Sequence, residues 1–371
     1  MTTIFLCGDV MTGRGIDQIL PHPGDSSLRE SVVSDARTYV TLAERVNGPI
    51  PRRADFAWPW GDALAVLDEL APDVRVLNLE TAVTTADGFA PGKAVHYRMN
   101  PANIGCVTVV RPDVCVLANN HVLDFGTDGL AESLRVLSRA GIRSVGAGHD
   151  VREAQRPQVL DVTGGGRVIT AAVGLKSSGV PRHWAATADR PGVAYSNDLS
   201  ERSAAEIADR ALAEKRPGDI AVVSLHWGSN WGYGVENSQV RFAHRLIDAG
   251  IDVVYGHSSH HPRPIEVYRG KLILYGCGDL VNDYEGIEPF RAFRDELRLL
   301  YFASVDPDMG ELAVLNMVPM RVRRMRLERA AAEDAEWLRA TVEQASESFG
   351  TRVVGQADGT FTAAPPGMSR P

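Results

Sequence analysis

Five short polar motifs, each directly following an apolar run, hold the residues of this chain best suited to chemistry. Residues 4–7 run into Gly8-Asp9, 74–77 into Asn78-Leu79-Glu80, and 114–117 into Ala118-Asn119-Asn120-His121. Residues 222–225 run into His226-Trp227-Gly228, and 253–255 into Gly256-His257-Ser258-Ser259-His260-His261. Carboxylates, an amide oxygen and imidazoles are donors for one or two divalent ions (Mn, Zn, Fe, Co or Ca), not for a thiolate-type structural zinc. No organic cofactor is expected. Each motif alone has a plain structural explanation: an Asp after a strand makes a turn or cap, Asn119-Asn120 starts a helix, and a lone His sits satisfied in a core. Five of them at successive strand ends favour a shared centre, because the carboxyl ends of parallel strands open on one crevice. A carboxylate between two ions can bridge them, and such a pair, roughly 3.5–4 Å apart, polarises a substrate oxygen and activates a water.

The elements that must position these residues are legible as short β-branched runs at 4–7, 74–77, 114–117, 168–173, 220–225, 253–255 and 272–275. Amphipathic stretches at 60–70, 127–140, 202–215 and 238–249 alternate with them, which predicts an α/β fold with parallel strands inside. Further strands are expected at 299–303 and 312–318, and a charged helix at 330–348. Gly164-Gly165-Gly166 lacks the Lys-Ser/Thr of a phosphate loop and predicts a hairpin turn. Residues 21–53 carry little periodicity and are expected to form an active-site flap. A single domain is expected over 1–350, with its core at 3–285 and C-terminal strands and helix at 290–350. The tail 351–371, rich in Gly, Pro, Ala and Thr from residue 355 on, is expected to be loose.

The 371 residues carry a formal net charge of −8 and a pI near 5.7. A protein that tracks nucleic acid needs a basic field, so nucleic acid is not an expected partner. Cys7, Cys106, Cys115 and Cys277 lie in apolar runs without a CxxC pair and are expected to be free thiols. The first ten residues have no basic region and read as a strand, and no stretch of about 18 apolar residues occurs. The expectation is a cytoplasmic protein without a membrane partner. Its oligomeric state is left open.

Taken in order, Gly8-Asp9-Val10-Met11, Asn78-Leu79-Glu80, the run Ala118-Asn119-Asn120-His121-Val122-Leu123-Asp124-Phe125-Gly126, Leu225-His226-Trp227-Gly228 and Gly256-His257-Ser258-Ser259-His260 resemble the CapA/PgsA capsule-synthesis family. Pro264-Ile265-Glu266-Val267-Tyr268 and Leu274-Tyr275-Gly276-Cys277-Gly278-Asp279 continue the similarity. That family is a branch of the calcineurin-like metallophosphatases, so the resemblance implies a four-layer αββα sandwich. It also implies Asp9 and His260 on a first metal, Glu80 as the bridge, and Asn120, His226 and His257 on a second. His121 would be an unligated acid-base residue, and Asp124 would orient it or cap the next helix. Two positions depart from the superfamily pattern. Met11 stands where an Asp-x-His start has its histidine, and Glu80 stands where most phosphatases have Asp.

Three functions follow from the resemblance. The favoured one is metal-dependent Cα epimerisation of a peptide substrate, at a C-terminal Trp of a lasso-peptide precursor, as in a CapA-like peptide epimerase. The alternatives are phosphoester hydrolysis and a role in poly-γ-glutamate capsule synthesis. Trp58, Trp60, Trp184, Trp227 and Trp231 are candidates to line an aromatic pocket, with core packing the plainer account of at least half. Lys93, Arg98 and Arg263 are candidates to hold a carboxylate, with solvated surface charge the plainer account.

Overall fold

The computed structural model describes residues 1–287 and 291–364. Strand alternation explains its layering. In Thr2–Val10, Ile4 and Leu6 point to one side and Phe5 and Cys7 to the other, and all are fully buried. A strand apolar on both faces must be covered on both faces.

The larger of two main sheets runs in the order Arg352–Gly355, Phe361–Ala364, Leu312–Val322, Leu297–Val305, Thr2–Val10, Val74–Leu79, Val114–Val116, Arg143–Val145. Asp279–Val281 also pairs with Thr2–Val10. The second sheet runs Tyr195–Ser196, Arg167–Leu175, Ile220–His226, Val253–His257, Lys271–Leu274, Ile265–Tyr268. Leu6, Val76 and Val116 of the first sheet meet Val222, Tyr255 and Leu274 of the second in one buried cluster. Helices Ala63–Leu70 and Gly126–Arg139 cover the far face of the first sheet through Val66, Leu67, Leu130 and Leu134. Helices Glu201–Leu212 and Asn237–Asp248 cover the second through Ile207, Phe242 and Leu246. The result is the expected αββα sandwich.

Register then delivers the polar motifs. Asp9 lies opposite Asn78 on one neighbour and Asp279 on the other, and His226 lies opposite His257. Gly8 permits the first of these arrangements, since a Cβ there would stand 2.0 Å from the Gly278 carbonyl oxygen. Gly8→Ala should therefore push Thr2–Val10 away from Asp279–Val281. A loss of about 1–3 kcal/mol in a denaturant titration is expected, the usual cost of forcing atoms into a packed core. An unchanged midpoint would mean the strands yield freely.

Two segments carry more regular structure than their composition suggests. Residues 21–53 contain the helix Arg37–Asn47, whose Tyr39, Val40 and Ala43 are buried. The tail forms a hairpin, Arg352–Gly355 with Phe361–Ala364, and the second strand pairs with Leu312–Val322. Phe361 and Ala363 are buried there, which repays the ordering of a polar turn. The remainder of the tail, 365–371, lies outside the described residues. The triple glycine makes the expected hairpin between Gln158–Asp161 and Arg167–Leu175. All four cysteines are free and buried. No helix among the described residues is long and apolar enough to cross a membrane.

Candidate metal centre

Asp9, His226 and His257 converge where the two sheets meet, with one ligand atom of each within 4.8 Å of the others. All three are buried. His226 Nδ1 lies 2.6 Å from His257 Nδ1, and His257 Nδ1 lies 3.8 Å from Asp9 Oδ1. The other nitrogen of His226, Nε2, faces Asn120 Oδ1 at 3.0 Å and Glu80 Oε1 at 3.8 Å. His226 thus stands between two oxygen-bearing groups, Asp9 on one side and Asn120 with Glu80 on the other.

His260 stands beside this trio and outside it, close enough for its charge to act on Asp9 and His226. Its Nδ1 lies 2.9 Å from Asp279 Oδ1 and its Nε2 3.0 Å from Asn230 Nδ2. Burial opposes charge on His260, but Asp279 outweighs it and raises the pKa. Ser258 has a positive φ of 99°, and its amide donates to Asp9 Oδ2 at 3.1 Å. The chain turns there, carrying His260 on to Asp279.

The electrostatics fit a divalent cation. Burial pushes the Asp9 carboxyl up to about 7, with Asp279 adding repulsion. Burial, and then Asp9, raise Glu80 well above the ordinary carboxylate range. Burial holds His257 down at about 3, and burial with His257 holds His226 well below its usual value. His226 and His257 are therefore neutral with lone pairs to give, and the carboxyls of Asp9 and Glu80 stay raised even with His260 and Lys93 nearby. A carboxylate, an amide oxygen and neutral imidazoles suit a borderline divalent ion.

Residues behind these groups fix their orientation. Asn78 Nδ2 donates to Asp9 Oδ1 at 2.6 Å, and Asn119 Nδ2 donates to Asn78 Oδ1 at 3.1 Å. Asn119 Oδ1 accepts from the amides of His121 and Val122, which holds the loop carrying Asn120. Ser224 Oγ lies 2.6 Å from His257 Nε2, leaving Nδ1 to face Asp9. Ser224→Ala should lower metal affinity about 10–100-fold, the usual cost of losing an orienting partner. Calorimetric titration with Mn or Zn is the check, and equal affinities would show that Ser224 only fills space.

His121 sits beside the cluster and outside it. Its Nδ1 lies 2.6 Å from Asp124 Oδ2, while its Nε2 points to Glu80 Oε1 at 3.8 Å. Asp124 does not cap the following helix; the N-cap is Phe125, and no side chain bonds there. Lys93 pairs with Asp124 and stands 3.3 Å from His121 Nδ1. The ring of Tyr97 meets His121 edge-on at 4.6 Å. Burial holds His121 at about 4, against the pull of Asp124.

The other candidates divide. Trp60 and Trp227 are fully buried core residues whose indole nitrogens donate to the Cys106 and Tyr275 carbonyls. Trp58 donates to the Arg324 carbonyl at 3.0 Å, in packing unrelated to the cluster. Trp184 stands 5.0 Å from Lys93 Nζ, and Trp231 5.2 Å from the His260 ring. A pocket built from all five tryptophans is therefore not present. Arg98 is taken up by Asp25 and Asp87, and Arg263 is buried against Ser229. Lys93 alone of the three cations stands at His121. Asp279, Asn78, Asn119 and Ser224 were not assigned to the site from sequence. The strand-end rule points to Asp279, which follows the run 272–275 after three intervening residues.

Comparison with known proteins identifies the family. Residues 3–284 match the family described as bacterial capsule synthesis protein PGA_cap. The chain is 57% identical over 366 residues to a probable polyglutamine synthesis accessory protein of Mycobacterium tuberculosis, covering 98% of this chain and 96% of that one. It is 27% identical over 279 residues to the PGA biosynthesis protein CapA of Bacillus subtilis, covering 74% and 62%. It is 26% identical over 322 residues to the capsule biosynthesis protein CapA of Bacillus anthracis, covering 86% and 67%. On the family match and on the near-full-length mycobacterial relative, the chain belongs to the bacterial capsule synthesis protein family PGA_cap.

Proposed function

We propose that the protein is a divalent-metal-dependent enzyme that serves synthesis of a glutamate-type polymer by hydrolysing a phosphoester. The observation that carries the chemistry is the His121–Asp124 pair opening onto the cluster of Asp9, Glu80, His226 and His257. A purely structural metal site has no need of an oriented, unligated imidazole. The polymer context rests on the names of the relatives.

An ion held by Asp9, His226 and His257, with Glu80 and Asn120 beside it, would supply Lewis acidity to a phosphoryl oxygen. The chain's own residues handle the proton. Asp124, as a carboxylate, accepts from His121 Nδ1–H, which leaves the Nε2 lone pair facing the cluster. Held at about 4 by burial, His121 is neutral near pH 7. It accepts a proton at Nε2 from the attacking water and returns it to the departing oxygen. Lys93 and the Tyr97 amide hold Asp124 in place.

Epimerisation of a peptide tryptophan is the weaker reading. Only Trp184 and Trp231 approach the site, and the relatives are named for polymer or capsule synthesis. The test is to strip the protein with chelator, reload it with Mn, Zn, Fe(II) or Co, and assay a panel of phosphomonoesters and diesters. Wild type, but not His121→Ala, should also restore polymer to a Bacillus subtilis strain lacking its CapA. Failure of every loaded form on every ester would defeat the hydrolytic reading. Deuterium entering a peptide Cα in the same samples would reinstate epimerisation.

A further inference from the structure

A second concavity carries the opposite charge. It is a groove of about 560 Å³ between the C-terminal half of helix Gly126–Arg139, the edge strand Arg143–Val145 and the segment from His149 to Gln158. Arg135, Arg139, Arg143 and Arg156 all line it, and all are exposed. None of the four is ion-paired to a carboxylate among the described residues.

Structural roles account for two of them in part. Arg135 Nε donates to the Ala131 carbonyl of its own helix at 3.2 Å. Arg139 lies in the last helical turn, where a cation complements the helix dipole. Arg143 and Arg156 have no such account, since their side chains make no hydrogen bond or ion pair among the described residues. The acid lining the groove, Glu153, is occupied by His149, accepting from its amide at 2.9 Å and facing its Nδ1 at 2.7 Å. Four guanidiniums in one groove repel one another, and here they do so on a protein of net charge −8.

We propose that this groove docks a carboxylate-rich polypeptide segment, an extended run of acidic side chains, at a surface separate from the metal centre. The planar guanidinium fork matches a carboxylate with two parallel hydrogen bonds. A nucleic acid fits less well. It needs a cationic track along many phosphates, and beyond this groove a duplex would meet a predominantly acidic protein. The docking needs no metal and is independent of the proposed reaction.

The test uses fluorescein-labelled deca-glutamate and fluorescence anisotropy, at about 50 and about 200 mM salt, a range over which charge-driven binding falls steeply. Wild type should bind at the lower salt and weaken at the higher, and labelled deca-glutamine should not bind. The double variant Arg143→Ala/Arg156→Ala should weaken binding about tenfold or more, equal to about 1.4 kcal/mol. Arg143→Gln/Arg156→Gln provides a second pair should the first fold poorly. His257→Ala and the remote pair Arg202→Ala/Arg352→Ala should bind as wild type does. Absence of binding by wild type, or equal affinity in the groove variants, would overturn the proposal. Tighter binding of a labelled single-stranded DNA of matched charge would overturn the polypeptide assignment.

Discussion

His121→Ala should keep its metal and lose about 10²–10⁴ in turnover, the usual contribution of a positioned acid or base. The two halves of this result have separate origins. The metal should stay because His121 lies outside the Asp9, His226 and His257 trio and faces Asp124 with its nearer nitrogen. The rate should fall because Nε2 is the imidazole nitrogen left open toward Glu80 and the cluster. Elemental analysis and steady-state kinetics on one preparation read both halves. A metal-loaded variant that turns over like wild type would remove His121 from the chemistry. A variant that loses its metal would instead make His121 part of the binding site.

His257→Ala should lose both metal and activity. Its Nδ1 stands 3.8 Å from Asp9 Oδ1, and its place in the trio is fixed by the register of its strand against that of His226. Wild type should gain about 4 kcal/mol of unfolding stability at a thousandfold excess of ion over its Kd, and the variant should gain nothing. Affinity in wild type should rise with pH. Burial holds the Asp9 carboxyl near 7, so in the metal-free protein a proton occupies it below that value and the ion must displace it. Affinity should climb about tenfold per pH unit for each proton released, and the share of that slope due to Asp9 should end above about pH 7. The imidazoles add no such slope near neutrality, because burial already keeps His257 and His226 neutral. Titration calorimetry at pH 6 and pH 8 measures this, and equal affinities would show that Asp9 carries no proton at neutral pH.

Much of this site could be read from residue order because chemistry and topology coincide. A parallel strand that ends near Asp9, Asn120, His226 or His257 must put that residue on one rim of a sheet. The pairing of Asp9 with Asn78 and of His226 with His257 is then a matter of register. His260 was harder. Its direction depends on the turn at Ser258 and on an acid 19 residues away, and neither has a local signature. Ser224 and Asn119 were hidden for a different reason. Their role is to accept or donate one hydrogen bond behind a ligand, and a buried Ser or Asn in an apolar strand looks the same whether it does so or not. The tail misled through composition. Asp358-Gly359 suits a tight turn as well as a loose end, and the deciding fact, the open edge of Leu312–Val322, comes from elsewhere in the chain. The tryptophans misled similarly, since their count says nothing about which layer each one fills.

The candidate ligands come from both sheets. Asp9 lies at the end of one strand of the larger sheet and Glu80 and Asn120 follow two others, while His226 and His257 end strands of the smaller. Below them the sheets are held together by mainly apolar side chains; at the rim the contact becomes polar. An ion there would act as a clasp across the open end of a book whose spine is greasy. Releasing it would free the two covers to breathe at that edge alone, with the spine still shut. Amide exchange should then quicken first around Asn78 and His257, well before the central strands exchange, so that an ordered rim and a folded core become separable properties of this chain.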